Sequence, residues 1–429
     1  MTKSKFQNLR KKYPKFIYEK YFWKISGNNL EIFFDFSIYR ENGSRSIKFR
    51  PKIIIELQKL DPVRNRRFLN GVDNLIFHLG LMEIPSYWKA TCSREIEIQA
   101  GFLNKEQINW WEDLIIRGMG QFFYENKIDW RSKNFLNLTV NCLQKDATAH
   151  FYRQNLKNKY LVPFAGGRDS IITLEGLKGQ KKEIALFTVN TIERIQKVVR
   201  ISGIKKQIIV RRIIDKKLLG LNEKGYLNGH TPFTALLSFT SLLCAAIFDY
   251  KNIAFSNEKS ANEGNVKYLG EIINHQWAKS SEFEKKFRNY CKKYLVKNVN
   301  YFSFTRKYGE LEISKMLIKY PKYFPVFSSC NAGMRIKIAG EARWCGNCPK
   351  CLFIYMSLYP LLKKKKMLEI FGKDIFENRG LLPIMKGLLG QGKPKPFECV
   401  GTYQENRRIF KLCLQKAKKL GEIPFLLTR

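Results

Sequence analysis

From residue 159 onward, short apolar runs alternate with stretches of helical period, and this alternation limits the fold more than any other feature. Residues 160–164 (YLVPF), 183–189 (EIALFTV), 207–214 (QIIVRRII) and 252–255 (NIAF) have the length and β-branched content of strands, while 170–177, 191–201 and 233–250 carry helical spacing. Apolar strands joined by helices must be covered on both faces, so residues 151–325 are expected to form an α/β domain with a doubly wound parallel sheet. Residues 1–150 differ in texture and are expected to form an α+β domain. Segment 21–38 reads as two aromatic strands around a Gly-Asn-Asn turn, 46–57 as another strand, and 73–81 and 105–124 as helices, the second opening after Asn104 as a cap. The Trp110-Trp111 pair and Phe122-Phe123-Tyr124 belong to a core before a stacking platform. Residues 326–429 form a third segment, cysteine-rich at its start and helical after it.

Lysine and arginine number 77 against 37 acidic residues, a formal net charge of +40. A surface this positive attracts phosphates, but the basic residues are spread along the chain instead of forming one tail or helix, so nucleic acid is not the favoured partner. The first residues, MTKSKFQNLRKKYPKF, are polar and basic with no apolar run behind them, unlike a secretory signal, so a cytoplasmic location is expected. Segment 233–248 (FTALLSFTSLLCAAIF) is uncharged but shorter than the ~20 residues that span a bilayer, which predicts a buried helix and no membrane partner. Ten cysteines in such a chain argue for metal over disulfides.

In a doubly wound sheet, the first βα turn presents unpaired helix N–H groups to ligand. Here that turn is Ala165-Gly166-Gly167-Arg168-Asp169-Ser170. Gly166 and Gly167 let backbone amides approach an anion without Cβ interference, Ser170 adds a hydroxyl, Arg168 adds charge and Asp169 offers a ligand for Mg²⁺. It fits neither GxxxxGK[ST] nor GxGxxG. The turn resembles the SGGxDS loop of the N-type ATP pyrophosphatases, the PP-loop superfamily with its adenine nucleotide alpha hydrolase-like fold, with Ala165 where those enzymes usually have serine. That resemblance implies ATP binding.

Cys345-Gly-Asn-Cys348-Pro-Lys-Cys351 is a double CxxC, and Cys330 lies 15 residues upstream of it. Thiolates at this spacing converge on one tetrahedral ion and point to structural Zn²⁺, with an iron–sulfur cluster as the competing metal. Cys92, Cys142, Cys244, Cys291 and Cys413 are expected to be small apolar residues.

After the fourth strand come Ser256-Asn-Glu-Lys-Ser-Ala-Asn-Glu-Gly-Asn265 and the segment beginning Asn274-His275, and near the C-terminus Lys395-Pro-Phe-Glu-Cys-Val-Gly-Thr402. With the glycine turn, WCGNCPKC and residues 79–114, these segments resemble the UDP-N-acetylmuramoyl-L-alanyl-L-glutamate epimerase family over nearly the whole chain. The resemblance implies ATP- and Mg²⁺-dependent inversion of a terminal L-glutamate on a UDP-linked muramoyl dipeptide, through an acyl-adenylate, with AMP and pyrophosphate released. It implies that Gly166, Gly167, Arg168 and Ser170 hold the phosphates while Asp169 helps place Mg²⁺, with Asn190 as a nucleoside contact. Glu258, Glu263, His275 and Cys399 are the expected metal or proton-transfer groups, Cys399 because a thiolate can exchange a proton at carbon. His78 and His150 are expected to be packed or exposed residues. A tRNA- or nucleobase-modifying ATP pyrophosphatase is the alternative, and a zinc-stabilised nucleic-acid module the third possibility.

Overall fold

The computed structural model describes residues 4–57, 62–142, 152, 155–330 and 343–428. Thirteen strands are labelled in chain order. They are β1 Lys15–Ser26, β2 Asn29–Tyr39, β3 Arg45–Phe49, β4 Lys52–Glu56, β5 Glu95–Ile98, β6 Asn137–Val140, β7 Lys157–Pro163, β8 Ile184–Val189, β9 Gln207–Ile213, β10 Tyr250–Phe255, β11 Val266–Tyr268, β12 Glu271–Ile273 and β13 Asn300–Ser303. β11 and β12 form a small hairpin of their own; the others make one sheet ordered β13-β10-β7-β8-β9-β4-β2-β1-β5-β6, with β3 beside β2.

β1 and β2 turn tightly at Gly27, whose positive φ of 56° suits glycine. The segment expected to be one strand over 46–57 is two, β3 and β4, broken at Arg50-Pro51. Alternate residues of β2 (Leu30, Ile32, Phe34, Phe36, Ile38) are buried together. The helix Pro62–Trp88 covers them, stacking Phe77 on Tyr18 at 5.9 Å. Gly80 permits that approach, because a Cβ there would fall 2.0 Å from the Tyr18 hydroxyl.

β13, β10, β7, β8 and β9 are parallel neighbours. Adjacent side chains along these strands enter different cores: Leu161 and Ile253 join one, with the helix Phe233–Phe248, and Val162 and Ala254 join the other, with the helix Arg168–Gly179. Helices therefore cover both faces, as expected of a doubly wound sheet. β7 lies between β8 and β10, so the strand order reverses there and opens a crevice at the carboxyl ends of β7 and β10. The antiparallel pair of β4 with β9 carries the sheet without a break into the N-terminal strands. Arg212 of β9 reinforces the join by pairing with buried Glu83 of the long helix, Nε to Oε1 at 2.7 Å.

Past residue 326 the described elements are helical, principally Pro349–Leu358, Lys364–Phe371, Leu382–Leu389 and Tyr403–Leu420, packed on the Arg168–Gly179 side. Trp111 sits in the core against Phe239, 5.0 Å between ring centres. No described helix is long and apolar enough to cross a membrane, and Phe233–Phe248 is buried.

Candidate active site

The glycine turn stands at the point of reversal. Gly166 has φ of 71°, and a Cβ there would press to 3.0 Å from Val198, so glycine is required on both counts. Gly167 is the N-cap of the helix Arg168–Gly179 and has no side chain of its own to cap it. The cysteine-bearing segment docks on this turn: Ser328 N–H donates to the Gly166 carbonyl at 3.3 Å, and the Ser329 hydroxyl accepts from Arg168 N–H at 3.2 Å. Ser329 thus brings a hydroxyl to a turn where Ala165 has none. The Ser170 hydroxyl donates back to the Gly167 carbonyl at 2.9 Å.

The Arg168 guanidinium is fully buried and faces carboxylates. It donates to Asp169 Oδ1 (Nη2, 2.8 Å), to Ser314 (3.2 Å) and to buried Glu310. Burial would raise the Asp169 pKa, but Arg168, Lys350 and Lys279 outweigh it and hold that carboxyl below its ordinary range. Glu310 is pushed up by burial and by Glu258 and Asp169, against the pull of Arg168.

Around the crevice the expected residues converge with several that sequence reasoning missed. Lys279 Nζ donates to Cys399 Sγ at 3.0 Å. Burial disfavours the Lys279 ammonium, yet Cys399, Glu258 and Asp169 overcome this and hold its pKa above the ordinary lysine value. Glu258 is buried, and Arg306 fixes its backbone carbonyl at 2.8 Å. Lys350, in the first turn after Cys348, donates to the Cys399 carbonyl, while its own N–H meets Glu398 at 3.0 Å. Glu263 accepts from Lys395 Nζ at 2.8 Å and Tyr403 N–H at 3.0 Å, and Asn265 donates to the Pro396 carbonyl at 2.8 Å. The two loops 256–265 and 395–402 are therefore clamped together.

Asn265 Oδ1 accepts from the backbone N–H of His275 and lies 2.9 Å from its Nδ1, which assigns the proton to Nδ1. Burial first, then His230 and the lysines Lys279, Lys395 and Lys350, push His275 down to about 2, so it is a neutral ring. The Asn190 side chain is occupied by the next strand, accepting from Arg212 N–H at 2.8 Å and donating to its carbonyl at 3.0 Å, so it closes the end of β8. His78 is a core residue between the Asn74 carbonyl and the Tyr290 hydroxyl; His150 lies outside the described residues.

Cys330, Cys345, Cys348 and Cys351 bring their sulfurs within 4.8 Å of one another, an arrangement that can hold one metal ion. Amide N–H groups of Asn347 and Cys351 point at Cys345 and Cys348 sulfur, both at 3.4 Å. Of the remaining cysteines, Cys92, Cys244, Cys291 and Cys413 are buried and Cys142 is half-buried.

Fold and site together define an α/β protein whose switch-point crevice is buttressed by a four-cysteine cluster that can hold a metal ion. The MurL N-terminal domain matches residues 7–304 and the MurL C-terminal domain residues 326–425, so the chain belongs to the MurL family. Relatives named UDP-N-acetyl-alpha-D-muramoyl-L-alanyl-L-glutamate epimerase include one from a Micromonospora strain, 32% identical over 75% of this chain and 70% of the relative. Another, from Xanthomonas oryzae pv. oryzae, is 30% identical over 79% and 74%, and a third, from Salinispora tropica, 29% identical over 88% and 80%.

Proposed function

We propose that this protein inverts the terminal L-glutamate of UDP-N-acetylmuramoyl-L-alanyl-L-glutamate, using ATP and Mg²⁺. The observation that carries this is the convergence of Asp169, Glu258, Lys279 and Cys399 at the carboxyl ends of β7 and β10. A proton beside an ionised carboxylate is hard to remove, because the carbanion would add negative charge next to it. ATP supplies the remedy: the carboxylate oxygen attacks the α-phosphorus, pyrophosphate leaves, and in the mixed anhydride the carboxyl group no longer carries its own charge, so the carbonyl can take up that of the carbanion, until water releases AMP.

The chain's own residues then have distinct tasks. Gly166, Gly167 and Ser170 form the anion-binding turn, and Asp169, kept ionised by Arg168, is the Mg²⁺ ligand. Arg168 acts through Asp169, since its guanidinium is engaged by carboxylates. Cys399 and Glu258, with the Lys279 ammonium between them, are the proton-transfer groups. Glu263 and His275 orient the loops, one through Lys395 and the other as a neutral ring. Structural Zn²⁺ suits the cysteines: Zn–S bonds of about 2.3 Å in a tetrahedron set sulfurs about 3.8 Å apart. The Cys330–Cys348 and Cys345–Cys351 pairs stand at 3.9 and 3.7 Å.

The test is incubation with ATP, Mg²⁺ and the UDP-linked substrate in heavy water. D-Glutamate, deuterium at Cα and AMP are the expected products. AMP formed only when tRNA is added would replace this function with RNA modification.

A further inference from the structure

Beyond the carboxyl ends of β10 and β13 lies an open cleft of about 710 Å³, separated from the crevice by buried Glu310. Its walls are the turn after β10, the start of the helix Glu310–Leu317 after β13, and the first turns of the helix Tyr403–Leu420. Lys259, Lys307, Lys315 and Arg408 line it, all exposed, and among the described residues none of the four has a carboxylate partner. The acids in the same walls are occupied. Glu263 is held by Lys395, Glu310 by Arg168, and Glu312 by Gly309 N–H at 2.7 Å. Glu405 caps its own helix through Thr402 and also accepts from Glu310 N–H at 3.0 Å. Only Glu312 and Glu405, held by neutral N–H and O–H donors, keep their charge against the four cations, so the cleft walls carry a net charge of about +2, which suits a ligand with more than one negative charge.

The cleft and the crevice share the turn after β10. Lys259 follows Glu258 directly, and Ser260 donates to Glu310 at 2.6 Å, so this one turn supplies residues to both compartments. We propose that the cleft takes the nucleoside diphosphate end of the substrate, with the two phosphates against Lys259, Lys307, Lys315 and Arg408 and the peptide end passing Glu263 toward Cys399. A sugar, a lactyl group and two residues reach roughly 15 Å at about 3.6 Å per residue, enough to bridge neighbouring compartments. The assignment rests on the epimerase function above in taking a UDP-linked molecule as substrate.

The experiment is calorimetric titration of the full chain with UDP, without ATP or Mg²⁺, for the wild type, the double variant Lys307→Glu/Arg408→Glu, and Asp169→Asn. Both reversed residues are exposed, and unchanged melting curves verify that the fold is intact. The expected result is saturable UDP binding that weakens about tenfold in the double variant. It should also fall with added salt, yield to inorganic pyrophosphate, and survive Asp169→Asn. No UDP binding, equal affinity in the double variant, or loss of binding in Asp169→Asn, which would put UDP at the glycine turn, each overturns the proposal. Because binding is read without turnover, UDP binding through the cleft with no D-glutamate formed sinks the epimerase function and leaves the cleft standing. D-Glutamate formation with cleft-independent UDP binding does the reverse.

Discussion

Replacing Arg168 by methionine keeps most of the side chain's volume and removes a cation buried between Asp169 and Glu310. At the 2.8 Å separation from Asp169, an effective dielectric of about 20 makes the attraction about 6 kcal/mol. Desolvation of the guanidinium offsets part of that, and deleting one partner of a buried pair costs about 3–5 kcal/mol. In a chain of this size the loss should lower Tm by about 5 °C. The pH dependence has a definite sign. Asp169 now lies below its ordinary 3.8, so its contribution is present above that value and is lost as pH falls. Without Arg168 the Asp169 carboxyl rises and Glu310, already raised, rises further, so the variant is better tolerated at low pH and loses stability as pH climbs. The Tm gap between wild type and variant, followed by scanning calorimetry, should widen from about pH 5 to about pH 8. Adding Glu310→Gln to the variant removes one of the orphaned charges and should recover part of the loss. A gap independent of pH, or a double variant no more stable than the single, would refute the view that Arg168 serves to neutralise these two acids.

Cys399→Ser and Lys279→Met should each slow deuterium incorporation at Cα roughly 100-fold or more while AMP formation persists, as seen by mass spectrometry and nucleotide analysis. His275, neutral above about 2, should show a neutral Nδ1–H imidazole in nitrogen NMR at about pH 5.5, and the rate profile should carry no limb from it. Cys348→Ser should release metal, detected by elemental analysis, and weaken nucleotide binding at the glycine turn, because Ser328 and Ser329 dock there from the same cysteine-bearing segment.

The four central strands and their helices were legible because apolar runs and helical period are local signals. The join between β4 and β9 was not: nothing in Ile53-Ile54-Ile55 names Val210 to Arg212 as its partner. β13 escaped for a similar reason, since Asn300–Ser303 is short and its pairing with β10 is long-range. In the site, residues with rare chemistry stood out, among them the glycine pair, the cysteines and Cys399. Lys279, Lys350 and Lys395 did not, because in a chain with 77 basic residues only burial beside a thiol or carboxylate distinguishes them. Arg168 was noticed for its charge, yet its direction was unreadable, because its partners Glu310 and Ser314 lie more than a hundred positions away.

The docking of Ser328 and Ser329 on the glycine turn, and of Lys350 on Cys399, has a bearing on biosynthesis. A ribosome that has made the strands and their covering helices has not yet delivered the thiol, its neighbouring lysine at 350, or the loop that clamps Glu263. On the role proposed for Cys399, a polypeptide that stops before residue 399 has the sheet but not the group that moves the proton.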